Sequence, residues 1–142
     1  MSNSILAKRE VAALGFDEAI MLDTEGYVSE ASGENVFVVK KGRITTTPLT
    51  SILPGITRGA AISLARYMGF TITEERFTRD ELYLADECFF TGTAAEVTPV
   101  REVDGRAIGS GKLGPVTSQI QKKFFETARG MHSEYHKWLT YL

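Results

Sequence analysis

A carboxylate at the end of a predicted strand is the first candidate for chemistry. Residues 28–37 read VSEASGENVF, in which Glu30 precedes three small residues and no lysine, arginine or histidine lies nearby in the stretch. A carboxylate among small, weakly polar residues is costly to bury unless a positive charge compensates it. The commoner interpretation is a solvated acid at a strand end. The functional interpretation is a partner for a buried cation, such as a protonated ring nitrogen.

The segment LPGITRG, residues 53–59, is typical of an anion-binding helix start. Gly55 permits close approach of the backbone, and a helix is predicted directly after it. The free amides of Ile56 and Thr57 would then point outward at the positive end of the helix dipole, which favours a phosphate site. The simpler alternative is that residues 54–55 form a turn and that Thr57 caps the helix.

A small-residue loop follows a predicted strand in FFTGTAAEVTPV, residues 89–100. Hydroxyls beside exposed backbone amides suit an oxyanion, a phosphate or a carboxylate. The residues concerned are Thr91, Gly92, Thr93, Ala94 and Ala95. On this motif alone, a tight turn from strand to loop is the favoured interpretation.

The acid and the phosphate site match what pyridoxal phosphate requires of a protein. This cofactor needs an acid on its pyridinium nitrogen, a helix N-terminus on its phosphate, and a lysine that holds it as a Schiff base. Glu30 and residues 55–57 would supply the first two groups.

Four other features are weaker candidates. His132 and His136 are one helical turn apart, but HSEYH lacks the order of the HExxH metal motif and favours a surface position. Cys88 is interpreted as a buried apolar residue within a strand. The lysine pairs 40–41 and 122–123 indicate solvated faces, and GSG at 109–111 indicates a loop.

The elements that would position these residues are mostly hairpins. Four helical segments are predicted. The first covers residues 2–14 and ends at Gly15, and the second carries a stripe of Ala61, Leu64, Ala65 and Met68 and ends at Gly69. The third is a short turn capped by Thr78, and the fourth is a long helix that starts at Pro115 and has Val116, Ile120 and Phe124 on one face. Single strands are predicted at residues 18–23, which should be buried, and at 27–30, 70–77 and 86–92. Two hairpins are also predicted, one over 35–46 turning at Lys41–Gly42 and one over 97–108 turning at Asp104–Gly105. This order predicts a mixed α/β (α+β) fold and not a doubly wound sheet.

Length and composition are those of one globular domain. The chain has 142 residues, 43% of them hydrophobic and 24% charged, which allows a substantial core. The net charge of −2 gives no electrostatic basis for binding nucleic acid or an anionic membrane. A single cysteine excludes an intrachain disulfide and any multi-cysteine metal site. That cysteine usage fits a reducing, cytoplasmic setting. Neither a signal peptide nor a membrane-spanning run is recognised.

Most of the chain closely resembles the C-terminal cofactor domain of branched-chain amino-acid aminotransferases, the fold-type IV (class IV) pyridoxal-phosphate enzymes. The resemblance lies in NSILAKREV, MLDTEGYVSEASGENVFVV, ILPGITRGAAISLA, LYLADECFFTGTAAEVTPVREVDGRAIG and GPVTSQIQKKFF, with matching spacing. It implies a hairpin-rich pseudo-barrel of strands with flanking helices, in a single domain covering residues 1–142.

The resemblance also implies roles for individual residues. Glu30 would meet the pyridinium nitrogen, Leu53 would pack on a ring face, and Gly55, Ile56, Thr57, Gly92 and Thr93 would surround the phosphate. The substrate carboxylate would be received by the amides of Thr93, Ala94 and Ala95. Glu34 and Asn35 match the family's GEN and are given a supporting role.

The sequence differs from the family in having no counterpart of the Schiff-base lysine. In the family the Schiff-base lysine lies on a strand before the first helix seen here, and a tyrosine near the end of that strand steadies the cofactor. None of the seven lysines, at 8, 40, 41, 112, 122, 123 and 137, takes that place. The smaller N-terminal domain, with a phosphate-binding arginine, is also missing. We therefore expect a C-terminal domain that has no catalytic residue of its own and is inactive alone.

The resemblance implies a parent reaction and leaves rivals. The parent would transfer an amino group between leucine, isoleucine or valine and 2-oxoglutarate, working as a homodimer. The chain alone would hold pyridoxal phosphate weakly and would self-associate. Rivals in the superfamily are a D-amino-acid aminotransferase and an aminodeoxychorismate lyase, although SEASGENVF and GTAAEVTPVREVDGR favour the branched-chain group. A rival from another class is a non-catalytic anion-binding module.

Overall fold

The described part of the chain consists of short strands, tight turns and three helices. A computed structural model describes residues 9–10, 12–15, 18–31, 34–48, 56–92 and 96–128, with only the backbone described for Ile56 and Ala128. The helices are α1 (Ile56–Tyr67), α2 (Arg79–Tyr83) and α3 (Pro115–Ala128). The strands are β1 (Ile20–Leu22), β2 (Val28–Ala31), β3 (Asn35–Lys40), β4 (Arg43–Thr46), β5 (Ile72–Glu74), β6 (Glu87–Gly92), β7 (Glu96–Pro99), β8 (Glu102–Val103) and β9 (Arg106–Ala107).

Five of these strands form one mixed sheet in the order β5-β4-β3-β6-β7. The pairing of β4 with β5 is parallel, and the other pairings in this sheet are antiparallel. β1 with β2 and β8 with β9 form two separate two-stranded sheets. The described strands and helices confirm the predicted mixed α/β class, which is rich in hairpins.

The central strand β3 is buried on both faces and separates two apolar clusters. Phe37 and Val39 face a cluster completed by α1 and α3, whereas Val36 and Val38 face a cluster on the opposite side of the sheet. This alternation follows from the two-residue period of a strand. Phe37 stacks on Phe89 of the neighbouring strand with ring centroids 4.8 Å apart.

The predicted turns and helix ends are largely confirmed. The hairpin between β3 and β4 turns at Lys41–Gly42, and the one between β8 and β9 at Asp104–Gly105, all four residues having positive φ. The predicted glycine stops are also confirmed, since Gly15 and Gly69 adopt the positive φ that glycine accommodates at a helix end. Most of the predicted first helix lies outside the described residues, with residues 9–10 and 12–13 helical.

Two strand predictions need correction. The sequence predicts a buried strand at 18–23, but Ile20 and Met21 are only partly buried and Leu22 is 43% exposed. The reason is that β1 pairs with β2 alone and stands outside the five-stranded sheet. The predicted hairpin over 97–108 is divided, because Val97 lies in β7, which pairs with β6.

Candidate cofactor site

Polar side chains gather at one end of the central sheet, on the face that α1 and α3 cover. Because β3 is antiparallel to β4 and β6, the start of β3 lies beside the ends of both neighbours. Asn35, the first residue of β3, is paired with Thr91. Both residues lie two positions along their strands from Phe37 and Phe89, which belong to the helix-side cluster. The strand period therefore directs Asn35 and Thr91 to the same side.

Glu30 is carried to this end of the sheet by β2. The last residue of that strand, Ala31, exchanges two backbone hydrogen bonds with Glu34, at N–O distances of 2.9 and 3.2 Å. β2 therefore ends directly beside the start of β3. Glu30 itself is partly buried. The structure thus places the predicted acid at a strand end, with Asn35 and Glu34 close by in the chain.

The start of α1 supplies the predicted backbone donors. α1 begins at Ile56, so the amides of Ile56 and Thr57 lie in its first turn, where helix geometry provides no intrahelical acceptor. That turn contains no acidic residue, although an acid there would complement the helix dipole. The predicted helix start is confirmed, while Leu53 and Gly55 lie outside the described residues.

A buried arginine in the same turn was not anticipated from the sequence. Arg58 is only 4% exposed, and its Nη2 donates to Glu74 Oε1 at 2.6 Å and to the carbonyl oxygen of Thr47 at 2.9 Å. A cation in a helix's first turn opposes the dipole, so this position costs the helix stability. That conflict, visible in LPGITRG, was the sequence signal that could have identified Arg58.

Thr47 joins the arginine to the strand that carries Glu30. The side chain of Thr47 donates a hydrogen bond of 3.1 Å to the carbonyl oxygen of Ser29, the residue before Glu30. Thr47 is 1% exposed. Its hydroxyl therefore contacts β2 while its carbonyl receives the guanidinium of Arg58, so that one residue links the acid's strand to the helix start.

The second small-residue loop lies between two paired strands. Gly92, the last residue of β6, is paired with Glu96, the first residue of β7, so three residues connect the two strands. Thr91 is fully buried, and its hydroxyl has no hydrogen-bond partner among the residues that the structure describes. Thr93, Ala94 and Ala95 lie outside the described residues, so their predicted contacts stay predictions.

The donor set fits a ligand that has a phosphate at one end and a cationic ring at the other. Amides in the first turn of α1 suit a phosphate, and a partly buried carboxylate suits a protonated ring nitrogen. The unpartnered buried hydroxyl of Thr91 and the unpartnered, buried Nε of Arg58 leave hydrogen-bonding capacity at this end of the sheet. The residues present are therefore compatible with pyridoxal phosphate.

Residues outside this site have structural explanations where they are described. Cys88 is buried at 2% exposure, as predicted, and burial raises the pKa of its thiol. Within the described ranges no group of three histidine, cysteine or carboxylate side chains could hold a metal ion. The described helices include none long and apolar enough to cross a membrane. His132 and His136 lie outside the described residues.

The fold and these motifs coincide with those of a known family. Residues 1–103 match the family model described as amino-transferase class IV, and the chain belongs to that family. It is 55% identical over 138 residues to the branched-chain-amino-acid aminotransferase of Pseudomonas aeruginosa, covering 97% of this chain and 45% of that protein.

Solved structures show the same similarity in three dimensions. The T.th. branched-chain amino acid aminotransferase complexed with N-(5′-phosphopyridoxyl)-L-glutamate superposes with a TM-score of 0.96 at 50% identity, covering 99% of this chain and 48% of that one. The Thermobaculum terrenum branched-chain amino acid aminotransferase, in its PLP form, gives a TM-score of 0.94 at 42% identity, covering 98% and 46%. These neighbours confirm the fold-type IV architecture. The chain spans less than half the length of these relatives.

Proposed function

We propose that this chain is the cofactor-binding part of a pyridoxal-phosphate-dependent branched-chain aminotransferase. The observation that carries the proposal is the arrangement at one end of the sheet, where the strand of Glu30 and the first turn of α1 are joined through Thr47. The similarity to aminotransferases that bind pyridoxal-phosphate derivatives supports the same assignment.

Each residue of the site has a definite task in this proposal. Glu30 holds a proton on the ring nitrogen, because a nearby carboxylate favours the charged form of its partner. The amides of Ile56 and Thr57 bind the phosphate, and Gly55 and Thr93 complete that site. Leu53 packs on the ring, and Gly92 allows the loop that follows it to approach the ligand. The amides of Thr93, Ala94 and Ala95 receive the substrate carboxylate.

The chemistry follows from these positions. When bound, pyridoxal phosphate withdraws electrons from the α-carbon of an amino acid, which permits transfer of the amino group. Glu30 sustains that withdrawal by keeping the ring nitrogen protonated. The helix start fixes the phosphate, so that the ring is presented in one orientation. The proposed substrates are leucine, isoleucine or valine with 2-oxoglutarate.

The lysine that the reaction needs is not assigned to this chain. Lys40 and Lys41 lie at the far end of β3 from Asn35, roughly 16 Å away at the rise of a strand. Lys122 and Lys123 lie on α3, and Lys112 precedes that helix. We therefore propose that the cofactor-linked lysine, like the family's phosphate-binding arginine, belongs to a part of the enzyme outside these 142 residues.

The assembly proposed for this enzyme is a cytoplasmic homodimer. Large apolar side chains are exposed at Leu14 (71%) and Leu84 (68%), which supports further burial in an assembly. We expect the chain to self-associate. Sedimentation across a wide concentration range is the measurement, and a monomer throughout would contradict the proposal of a dimer.

Binding of inorganic phosphate tests the proposed site directly. Titration of the labelled chain with phosphate should shift the amide signals of Ile56 and Thr57 and leave those of the Lys41–Gly42 turn unchanged. Backbone donors supplied by local structure give a weak but specific site. If high phosphate concentrations shift neither Ile56, Thr57 nor Gly92, the proposed function is wrong.

An activity assay tests the assignment of the lysine. The chain alone, supplied with leucine, 2-oxoglutarate and pyridoxal phosphate, should show only the background rate of the free cofactor, because none of the lysines that the structure describes lies where it could act as the base. Turnover well above that background would show that one of the chain's own lysines acts as the base.

A further inference from the structure

Two hydrogen bonds, one buried and one partly buried, connect the parts of the site that would hold opposite ends of the cofactor. Thr47 donates through its hydroxyl to the Ser29 carbonyl at 3.1 Å, and its own carbonyl accepts from Arg58 Nη2 at 2.9 Å. Ser29 precedes Glu30, and Arg58 follows Thr57. These two bonds therefore link β2, which carries Glu30, to the first turn of α1, which carries the proposed phosphate-binding amides. The link is made by protein atoms alone.

This connection is well protected from water. Thr47 is 1% exposed and Arg58 is 4% exposed, so neither can exchange its protein partner for solvent without opening the structure. Glu74 of β5 accepts from the same Nη2 at 2.6 Å and offsets the charge of the guanidinium. α1 is thus tied at its start to both the end of β4 and the edge strand β5.

The burial of a cation in the first turn of α1 requires an explanation beyond stability. Thr73, on the same edge strand, keeps a buried hydroxyl that has no partner among the described residues, so this region does not satisfy every polar group within that part of the chain. Arg58 opposes the helix dipole and buries a charge, both of which cost free energy. A position that breaks two local rules is typical of a functional requirement.

Binding a rigid ligand at both of its ends would impose such a requirement. The ring nitrogen and the phosphate of pyridoxal phosphate are separated by a fixed distance. When both ends engage together, the second contact benefits from a high effective concentration, and this gain disappears if the two anchors are wrongly spaced. The protein must therefore hold Glu30 and the first turn of α1 at one separation.

We propose that Thr47 and Arg58 are positioning residues that set the separation between Glu30 and the phosphate-binding turn of α1. The inference rests on the proposed function and adds to it two residues that contact neither the ring nor the reacting atoms. Their loss should impair ligands that engage both anchors and spare a ligand that engages only one.

Three ligands distinguish a change in the separation of the two anchors from a local change at one of them. Inorganic phosphate probes the phosphate site alone, pyridoxine probes the ring contact alone, and pyridoxine 5′-phosphate engages both without a reactive aldehyde. Thr47→Val removes the hydroxyl donor at nearly constant volume, and Thr47→Ser restores a donor. Thr73→Val is the matched control, because it deletes a buried hydroxyl that makes no hydrogen bond. Amide chemical shifts give the affinities and verify that each variant is folded.

We expect a loss of affinity that is selective for the ligand that engages both anchors. Thr47→Val should weaken pyridoxine 5′-phosphate about tenfold while changing the affinity for inorganic phosphate less than about twofold. Thr47→Ser should recover most of the loss, and Thr73→Val should resemble the unaltered chain. Arg58→Lys retains the charge with a shorter reach and should show the same selective loss, which keeps the test decisive if Thr47→Val does not fold.

Other results would overturn the inference. Equal weakening of phosphate and pyridoxine 5′-phosphate would assign Thr47 to local stability only, and unchanged affinity for both would remove any role in binding. If the unaltered chain binds no phosphate at Ile56 and Thr57, the proposed function itself fails, and the spacing role fails with it.

Discussion

Glu87 is hydrogen-bonded to Thr117, with the carboxylate Oε1 2.8 Å from the backbone nitrogen. The other oxygen, Oε2, accepts from the amide of Val116 at 3.1 Å. A strand thus supplies the anion for the start of α3. The start of α1, on the same face of the sheet, carries Arg58 and no acidic residue. This contrast supports an external anion as the partner of the first turn of α1.

Replacing Glu87 by alanine should destabilise the fold. Glu87 is 8% exposed, so the change would leave the amides of Val116 and Thr117 buried without acceptors. Such groups cost about 1–3 kcal/mol each, and we expect the free energy of unfolding to fall by roughly 2–6 kcal/mol. Urea denaturation is the measurement.

Two other variants check the reason for that loss. Glu87→Gln keeps one acceptor oxygen and should cost clearly less than Glu87→Ala. Glu102→Ala, at an exposed position, should change the stability by less than about 0.5 kcal/mol. A similar loss in Glu87→Gln and Glu87→Ala would mean that packing, and not the capping of α3, accounts for the effect.

Two glycine-to-alanine changes should have opposite signs. A Cβ added to Gly114 would lie 2.1 Å from Cδ of Glu87, so Gly114→Ala must displace the carboxylate that caps α3. A Cβ at Gly59, within α1, would meet nothing within 4 Å. Gly59→Ala should therefore raise the free energy of unfolding by about 0.5–1 kcal/mol. Thermal unfolding of both variants is the measurement, and equal signs would contradict this explanation.

Local signals in the sequence were sufficient for most of the fold. The turns at Lys41–Gly42 and Asp104–Gly105, the Thr78 cap and the buried face of α3 all depend on neighbours within a few residues. The exposure of β1 was not predictable in this way, since it depends on which strands pair across the chain. The parallel pairing of β4 with β5 is likewise a long-range property.

The residues of the candidate site likewise fall into two groups, those predictable from local motifs and those that depend on long-range contacts. Glu30 and the donors at Ile56 and Thr57 are predicted from short motifs, because strand ends and helix starts are local. Thr47 and Arg58 were missed, since their significance lies in contacts 18 and 11 residues apart along the chain. Only the folded structure shows that these contacts join the two halves of the site.

Asp86 should make the stability of the fold sensitive to acid. The backbone amide of Lys41, at 2.7 Å, and the charge of Lys40 hold the pKa of Asp86 below its ordinary value of 3.8. A group with a lowered pKa contributes stability above its unfolded pKa and loses it as the pH falls through the folded one. The contribution should therefore be complete at neutral pH and decline below about pH 4.

Asp86→Asn tests this dependence. Because the carboxylate is about half exposed, the variant should lose less than about 1 kcal/mol at neutral pH and should lose less stability than the unaltered chain on acidification below about pH 4. Urea denaturation at several pH values gives both quantities. Parallel pH curves for the two proteins would exclude Asp86 as a source of the acid sensitivity.

Cys88 should be unreactive until the chain unfolds. Its thiol is buried in the apolar cluster on the face of the sheet opposite α1 and α3, and burial raises its pKa, so the reactive thiolate is scarce at neutral pH. Labelling with an aromatic disulfide reagent should be negligible in buffer and should follow the unfolding transition in urea. Rapid labelling in buffer alone would indicate that this part of the sheet opens readily.

Glu30→Gln should separate the binding of the ring from the binding of phosphate. A carboxylate beside a ring nitrogen stabilises the protonated ring, and a neutral amide does not. The pH at which bound pyridoxine 5′-phosphate loses its ring proton, followed by ultraviolet absorbance, should therefore be lower in the variant than in the unaltered chain. The affinity for inorganic phosphate, which does not engage the ring contact, should be unchanged. Glu75→Gln, an exposed glutamate beyond the end of β5, is the control and should alter neither quantity. If Glu30→Gln leaves the ring titration where it was, the ring nitrogen has another partner, and the assignment of Glu30 is wrong even if the phosphate site is correct.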